Sequence, residues 1–201
     1  MEFADVVASR QMTRHFRADP VEPGILETIL ATALRAPSAG FTQGIDLLLL
    51  TDAPARERFW RLASEAAWRS SSAAVDLVAA PTVVVPVADP AAYLERYREP
   101  DKSGSFLGGR PAEDWPVPFW TVDAAFTVMQ LLLAATNANL GALFFALHGD
   151  AAELLAALGV PPGRVAIGGV LLGHRSATDP RTSPSRRPRR GINEVVHRES
   201  W

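Results

Sequence analysis

Arginine side chains near both ends of the chain are the residues best suited to bind an anion. Arg10 and Arg14 stand four positions apart near the start, and Arg187 and Arg189 lie in the run Arg-Pro-Arg-Arg near the finish. A guanidinium forms charge-assisted, often bidentate hydrogen bonds with phosphate, each worth about 1.5–3 kcal/mol. Two such sets could hold the phosphate of a cofactor whose other end carries the chemistry. For either cluster alone, the alternative is a solvated charged face.

The sequence offers few side chains for catalysis without a cofactor. It contains no cysteine, which excludes disulfides, a thiolate nucleophile and cysteine-held iron–sulfur or zinc sites. The four histidines are scattered without ligand spacing, so no metal site is expected. The motifs G-x-G-x-x-G, G-x-x-x-x-G-K-[ST] and G-x-S-x-G are all missing. Redox chemistry on this chain would therefore need a bound cofactor.

Composition and charge narrow the class of protein. The chain has 201 residues, 48% of them hydrophobic, and a net charge of −2, which is typical of a soluble domain with one sizeable core. A negative total, and no aromatic residues among the carboxyl-terminal arginines, argue against nucleic-acid binding. Acid at the amino terminus is unlike a signal peptide, and polar residues such as Gln130 and Asn137 interrupt the apolar stretch 124–147. We expect no membrane span and a cytoplasmic location.

Hydrophobic periodicity predicts a single domain over residues 1–201 in which helices and strands are mixed. Helices are predicted at 2–9, 21–35, 53–69, 90–98, 121–136 and 151–158, and strands at 45–51, 82–87, 141–147 and 165–172. The strands do not alternate strictly with single crossover helices. The sheet can therefore be mixed or antiparallel rather than fully parallel.

Two irregular segments remain. Residues 89–120 are predicted to be a lid, with 99–118 rich in Gly, Pro and charge, and either ordered by function or disordered. Phe119 and Trp120 at its end offer flat apolar surface for an aromatic or quinone-like acceptor, the alternative being a small packing cluster. Residues 176–201 form a tail with a short extended stretch at 192–197. This stretch is too short to fold alone, so we expect it to pack against another part of the protein or against a partner.

Four stretches in register resemble the signatures of the nitroreductase family. Residues 9–16, Ser-Arg-Gln-Met-Thr-Arg-His-Phe, resemble its amino-terminal signature, and residues 36–43, Ala-Pro-Ser-Ala-Gly-Phe-Thr-Gln, resemble its A-P-S-x-x-N-x-Q loop. Residues 123–142 resemble its central helix and the L-G-A strand start, and residues 187–196 its closing K/R-x-R-x-P-L-x-E-V-V element. The resemblance spans nearly the whole chain in the family's order.

The resemblance implies an α+β fold, a three-layer α/β/α sandwich around a mixed, largely antiparallel sheet. It implies a homodimer in which the carboxyl-terminal strand is exchanged with the partner's sheet, and the helix at 121–136 forms the dimer core. FMN would be bound at each of two subunit interfaces. The extended stretch at 192–197 would then pair with the sheet of the second chain.

The resemblance also implies a set of cofactor contacts. Carried over by position, they are Arg10, Met12, Arg14, Pro37, Ser38, Gln43, Ala146, Leu147, Arg187 and Arg189. Arg10, Arg187 and Arg189 would hold the phosphate, and Arg14 would stabilise charge at the pyrimidine edge. The loop residues would line the isoalloxazine, and Ala146 would present a backbone N–H near flavin N5, with Leu147 beside it.

Three positions depart from the family pattern. Phe41 stands where Asn is common, Met12 replaces a serine that often contributes a hydroxyl, and Gly44-Ile45 replaces a frequent Pro-Trp. Phe41 can stack under the ring or contact substrate, as Phe119 and Trp120 can, with core packing as the alternative. No Asn or Lys around residues 70–76 is available for the family's additional flavin contact.

The expected function follows from the resemblance. It is an FMN-dependent oxidoreductase that passes electrons as hydride from NAD(P)H to a small aromatic, quinone or nitro acceptor by a ping-pong mechanism. The flavin carries the chemistry, so few ionisable side chains are needed. One alternative is a family member that processes flavin or deazaflavin itself, and another is a non-catalytic flavin-binding protein.

Overall fold

A five-stranded sheet organises the protein in a computed structural model that describes residues 1–69, 71–148, 150–177 and 187–201. The strands are β1 (Ile45–Leu50), β2 (Thr82–Ala88), β3 (Gly141–Phe145), β4 (Val165–Ala166) and β5 (Gly169–Gly173). Their order is β1-β2-β5-β3, with β4 paired to the end of β2. These named pairs are antiparallel, and Met12 adds one parallel bridge to Ala142. The predicted mixed, largely antiparallel sheet is confirmed.

Alternation along the strands builds a core on each face of the sheet. In β2, Val83, Val85 and Val87 belong to one apolar cluster, while Val84 belongs to another. Successive side chains of a strand point to opposite faces, and all seven residues of β2 are buried. A strand covered on both sides has a continuous run of aliphatic residues, and this run in β2 predicts the strand from the sequence.

Helices cover both faces and complete three layers. They are α1 (Phe3–Ser9), α2 (Pro23–Ala33), α3 (Ala53–Ala63), α4 (Ala66–Arg69), α5 (Ser72–Val78), α6 (Pro90–Arg96), α7 (Phe119–Asn137), α8 (Ala151–Ala157) and α9 (Ile192–Val195). Phe59 and Trp60 of α3 and Leu154 of α8 pack on one face. Ile29 of α2 and Leu131 of α7 pack on the other. The predicted α+β sandwich is confirmed.

Helix α7 is long and apolar enough to be a candidate membrane span by length and composition alone. In the structure it is a core helix, because Val128, Leu131, Leu132 and Ala135 are buried against α2 and the sheet. The opposite side of the helix is less covered, with Phe126 and Met129 exposed.

Two predicted elements are each divided in the structure. The helix predicted at 53–69 breaks at Ser64, whose backbone is extended and whose Oγ donates to the carbonyl of Trp60 at 2.6 Å. The strand predicted at 165–172 is wrong as one element, since β4 and β5 are separated at Gly168. A Cβ there would collide with the carbonyl of Phe145 and the ring of Phe144, so only glycine fits this close approach.

The end of the chain also differs from the prediction. Residues 192–197 were expected to be extended, but Ile192–Val195 form one helical turn. The turn satisfies its own backbone groups: Val196 N–H donates to the Ile192 carbonyl at 2.9 Å, and the Glu194 carboxylate accepts from Gly191 N–H. Residues 187–201 are exposed throughout. The strand exchange expected from the resemblance remains a prediction.

The segment 89–120 is ordered by an aromatic cluster of its own. Tyr93, Leu107 and Trp115 are buried, and Tyr97, Phe119 and Trp120 pack against them. A short 3-10 helix, Ala112–Asp114, lies between its turns. We call residues 89–120 the aromatic segment. It lies at the amino-terminal end of α7, which carries Phe119 and Trp120.

Candidate functional site

Arg10 follows helix α1 and carries a buried guanidinium nitrogen without a hydrogen bond. Its backbone N–H closes the helix by donating to the carbonyl of Val6 at 3.0 Å. Its Nη1 is buried and has no hydrogen-bond partner among the residues that the structure describes. Leaving a buried donor unpaired costs free energy, so this nitrogen is suited to an anionic oxygen supplied by a ligand.

The residues after Arg10 run beside the start of β3. Thr13 N–H donates to the carbonyl of Ala142 at 2.9 Å, and Met12 makes the parallel bridge to the same residue. Arg14 is half-buried, and its Nη1 donates to the carbonyl of Met12 at 3.4 Å. Pairing with a strand fixes the backbone of this segment, and with it the directions of the neighbouring arginines.

The loop at 37–43 is a compact turn held by its own side chains. Ser38 Oγ accepts a hydrogen bond from Gln43 N–H at 3.0 Å. Gly40, Phe41 and Gln43 have positive φ values of 63°, 56° and 54°. Left-handed backbone is uncommon for residues other than glycine, so the surrounding structure must hold it in place. With Pro37, this loop lines a cavity of about 170 Å³ that also includes Thr127 of α7.

A larger and mainly apolar cavity opens where β3 ends. It measures about 440 Å³ and is lined by Trp60, Trp68, Phe145, Ala146 and His148, among others. Trp60 stacks on Phe145 with ring centroids 5.4 Å apart. A volume of this size is typical of small-ligand sites, which lie in the range of about 300–1,000 Å³. Ala146 is exposed at this cavity, and Leu147 packs partly into the core behind it.

The residues predicted for one cofactor site therefore lie at two places on the chain. The cavity that contains Ala146 and the cavity that contains Pro37, Ser38 and Gln43 share no lining residue. Arg187 is exposed, as is Arg189, in the terminal segment. The arginines at positions 181 and 186 fall outside the described residues. One chain thus presents two separate parts of the predicted site.

The predicted substrate-contact residues differ in their surroundings. Phe41 is 75% exposed, although its backbone is held in the left-handed region. Phe119 and Trp120 are half-buried, with ring centroids 6.1 and 5.8 Å from that of Trp115. The rings of Phe119 and Trp120 are thus partly used in packing, while Phe41 is mostly exposed to solvent.

Sequence reasoning missed several residues at these places. Trp60 and Trp68 line the larger cavity, and neither was a candidate from the sequence. Asp76 accepts a hydrogen bond from His15 Nδ1 and ties the segment beside Arg14 to α5. Asp123 is buried in α7, where its place as the only acid of an apolar helix was a signal that could have been followed.

Electrostatics around Asp123 are dominated by burial and hydrogen bonding. Its Oδ2 accepts from Tyr93 Oη at 2.7 Å and from Ala39 N–H at 2.8 Å. Burial, and then the hydrogen bond to Asp123, raise the pKa of Tyr93 well above its ordinary value. The phenol therefore stays protonated and acts as a donor. Among the described residues, no group of three His, Asp or Glu side chains is placed to hold a metal ion.

Comparison with known proteins identifies the family. The sequence profile described as the Nitroreductase family matches residues 7–174. The chain belongs to the nitroreductase family. The match runs from the last turn of α1 through β5 and includes Arg10, the loop at 37–43 and Ala146, while the tail arginines lie beyond it. No curated protein is similar enough to match this nitroreductase family member.

Solved structures share the fold of this nitroreductase family member. Nitroreductase A from Vibrio parahaemolyticus aligns with a TM-score of 0.73 at 22% identity, covering 99% of this chain and 76% of that one. A Desulfovibrio desulfuricans protein in complex with FMN aligns with a TM-score of 0.71 at 19% identity, covering 100% and 98%. A Clostridium acetobutylicum protein named as an NADH oxidase aligns with a TM-score of 0.66 at 20% identity, covering 98% and 100%.

Proposed function

We propose that this protein is an FMN-dependent oxidoreductase of the cytoplasm that takes hydride from NADH or NADPH and delivers it to a small aromatic, quinone or nitro acceptor. The family supports flavin oxidoreductase chemistry in general, one neighbour in fold is an FMN complex, and another is named as an NADH oxidase. In this chain, Arg10 Nη1 carries the proposal, because it is a buried donor, unpaired among the described residues, that could bind the cofactor phosphate.

The residues present fit FMN. Arg10 supplies a buried donor, without a partner in the described part of the chain, beside the segment that carries Arg14. The cavity at Ala146 supplies apolar surface of the size that a flat heteroaromatic ring needs. In the proposed site, Arg10, Arg187 and Arg189 bind the phosphate, and Ala146 orients the ring through its backbone N–H. Bound FMN would supply hydride transfer between the nicotinamide and the acceptor.

The chain's own residues then have three tasks: binding, orientation and charge. Arg14 places a cation at the pyrimidine edge, where negative charge is stabilised. Leu147, next to Ala146 in the chain, excludes water from one side. Phe41, Phe119 and Trp120 provide the apolar surface on which donor and acceptor lie in turn. A single surface used twice gives a ping-pong order, in which no second nucleotide site is required.

We propose that a homodimer completes each site. The loop residues Pro37, Ser38 and Gln43 line a cavity of only about 170 Å³, too small to enclose a flavin. Leu34, which lines this cavity, is 63% exposed, and Phe126 and Met129 of α7 are 45% and 47% exposed. Exposed large apolar side chains are typical of protein interfaces when they lie together. A second chain packed here would bring its loop to the first chain's Arg10 and Ala146.

The function is tested with the purified protein under anaerobic conditions. We expect yellow protein that releases FMN on denaturation and loses its flavin absorbance when NADH or NADPH is added, as followed by stopped flow. A subsequent quinone and nitroarene panel should restore the absorbance, with parallel double-reciprocal plots. Protein that takes up no FMN contradicts the proposal. Protein that binds FMN but is not bleached by either nicotinamide would be a flavin-binding protein instead.

A further inference from the structure

A buried carboxylate that the proposed chemistry does not use lies behind the loop at 37–43. Asp123 is 3% exposed, and its Oδ2 accepts from Tyr93 Oη at 2.7 Å and from Ala39 N–H at 2.8 Å. Within the part of the chain that the structure describes, Asp123 is in no ion pair. Burying a charge is unfavourable unless hydrogen bonds compensate it, so both donors matter.

The two donors connect different parts of the molecule. Ala39 belongs to the loop, whereas Tyr93 belongs to α6 in the aromatic segment. The ring of Tyr93 also packs against Gly44, the residue that follows the loop, because a Cβ built on Gly44 would be 2.6 Å from its Cε2. Asp123 is therefore the point at which the loop, α6 and α7 meet.

Arg96, one turn further along α6, contacts the same loop. Its Nε donates to the carbonyl of Gly40 at 2.8 Å. Its Nη1 and Nη2 donate to Asp101 at 2.7 Å each, and Nη1 also to Glu99 at 2.9 Å, which fixes the guanidinium plane. Residues three apart lie on one face of a helix, so Tyr93 and Arg96 act on the loop from the same side.

The backbone of the loop needs such support. Phe41 and Gln43 are non-glycine residues with positive φ, and Phe41 is 75% exposed, so packing of its ring contributes little. Uncommon backbone conformations persist only where neighbouring contacts determine them. Contacts from outside reach this loop at Ala39, through Asp123, and at Gly40, through Arg96 and the Tyr97 ring, while the Tyr93 ring packs against Gly44 just after the loop.

We propose that Asp123, Tyr93 and Arg96 are positioning residues that hold the loop at 37–43 in its flavin-receiving conformation, so that the aromatic segment sets cofactor affinity. This inference rests on the proposed function, since it takes Pro37, Ser38 and Gln43 to contact FMN. Weakening the contacts of Asp123, Tyr93 and Arg96 lowers the fraction of molecules in the receiving conformation. The apparent Kd for FMN rises by the inverse of that fraction.

A matched pair of variants tests the positioning role of these contacts. Tyr93→Phe keeps the ring under Gly44 and removes only the hydroxyl that Asp123 accepts. Tyr97→Phe makes the same chemical change in the same cluster and keeps the ring that lies beside Gly40, but it removes a hydroxyl with no hydrogen bond among the described residues. In the apoprotein, Tyr93→Phe should speed hydrogen exchange at the amides of 39–43 selectively, and Tyr97→Phe should not. For FMN, Tyr93→Phe should raise Kd about 5- to 10-fold.

Two further readouts separate positioning from general stability. The visible circular dichroism of bound FMN should change in Tyr93→Phe, while the thermal midpoint of the apoprotein changes no more than in Tyr97→Phe. Arg96→Lys, which keeps the charge but loses the Nε donor, should reproduce the selective exchange at 39–43. If Tyr93→Phe instead accelerates exchange uniformly across the core, or leaves 39–43 unchanged, the inference is overturned.

Failure of this inference and failure of the proposed function give different results. Wild-type protein that takes up no FMN overturns the proposed function and, with it, the cofactor part of the inference. Wild-type protein that binds FMN with a Kd unchanged in Tyr93→Phe and Arg96→Lys overturns the inference alone.

Discussion

Thr13 occupies the space beside Gly141 that a side chain would need. A Cβ on Gly141 would lie 2.7 Å from both Oγ1 and Cγ2 of Thr13 and 2.9 Å from Cγ of Arg175. Thr13 is fully buried and its N–H is bonded to Ala142, so it cannot move aside freely. The close packing at the first residue of β3 therefore fixes the segment that carries Arg10 and Arg14.

Gly141→Ala tests this packing. Overpacking a buried site costs about 1–3 kcal/mol, so the thermal midpoint should fall by several degrees and FMN affinity should fall with it. Gly104→Ala is the control, because a Cβ there meets nothing within 4 Å. Differential scanning calorimetry of the apoproteins measures the first effect. Equal stability of the two variants would show that Thr13 yields to a methyl group.

Arg10→Ala tests the phosphate contact. Losing a charge-assisted hydrogen bond of about 1.5–3 kcal/mol should raise the Kd for FMN about 10- to 100-fold, measured by fluorescence titration. Riboflavin, which lacks the phosphate, should bind wild type and variant equally. Arg17→Ala is the matched control, because Arg17 is exposed and paired with Asp19. An equal loss of riboflavin and FMN affinity would assign Arg10 a structural role instead.

The tail arginines should act on the same phosphate. Arg187→Ala combined with Arg189→Ala should weaken FMN binding about 100-fold or more, with less effect on riboflavin. Arg198→Ala removes another exposed arginine of the same segment and should change neither affinity. Isothermal titration with both ligands distinguishes these outcomes. A double variant with wild-type FMN affinity would exclude the tail from the site.

Asp101 gives the aromatic segment a defined pH dependence. Its hydrogen bond to the Arg96 guanidinium lowers the pKa of Asp101 below its ordinary value. A depressed pKa in the folded state stabilises the protein above the unfolded value of about 3.9, and this contribution is lost as pH falls through the folded pKa. The thermal midpoint of wild type should therefore be higher than that of Asp101→Asn at neutral pH, and the difference between the two midpoints should vanish under acidic conditions.

The control for this prediction is Asp114→Asn, an exposed aspartate of the same segment in no ion pair among the described residues. Its thermal midpoint should follow that of wild type at every pH. A difference between wild type and Asp101→Asn that stays constant down to about pH 3 would contradict the assignment of the effect to this carboxylate.

Local patterns predicted most elements of the fold because their signals are local. The aliphatic run of β2 and the apolar length of α7 depend on residues that are neighbours in sequence. The division of β4 from β5 was not predictable in this way. It depends on Gly168 approaching Phe145, a contact between residues distant in sequence. The turn at 192–195 was likewise not predictable, because it depends on whether its backbone groups form hydrogen bonds within the turn or with another strand.

The candidate site was predictable only through the resemblance. Arginines at two ends of a chain indicate an anion, but not which anion, and Ala146 has no side chain that indicates a role. The role of Asp123 could not be predicted from residue types. Its hydrogen bonds to Ala39 and Tyr93 join three elements. No spacing rule relates those elements.

The central claim is that one FMN is held by two chains, and a mixed dimer tests it most directly. Arg10→Ala should weaken the phosphate part of the site, and Pro37→Trp should block the loop part from an exposed position. Each homodimer should bind FMN poorly. A heterodimer with one variant in each chain, purified through two different tags, should regain one tight site per dimer, because one Arg10 then meets one native loop. A heterodimer without a tight site, or a protein that is monomeric by light scattering, would contradict the claim.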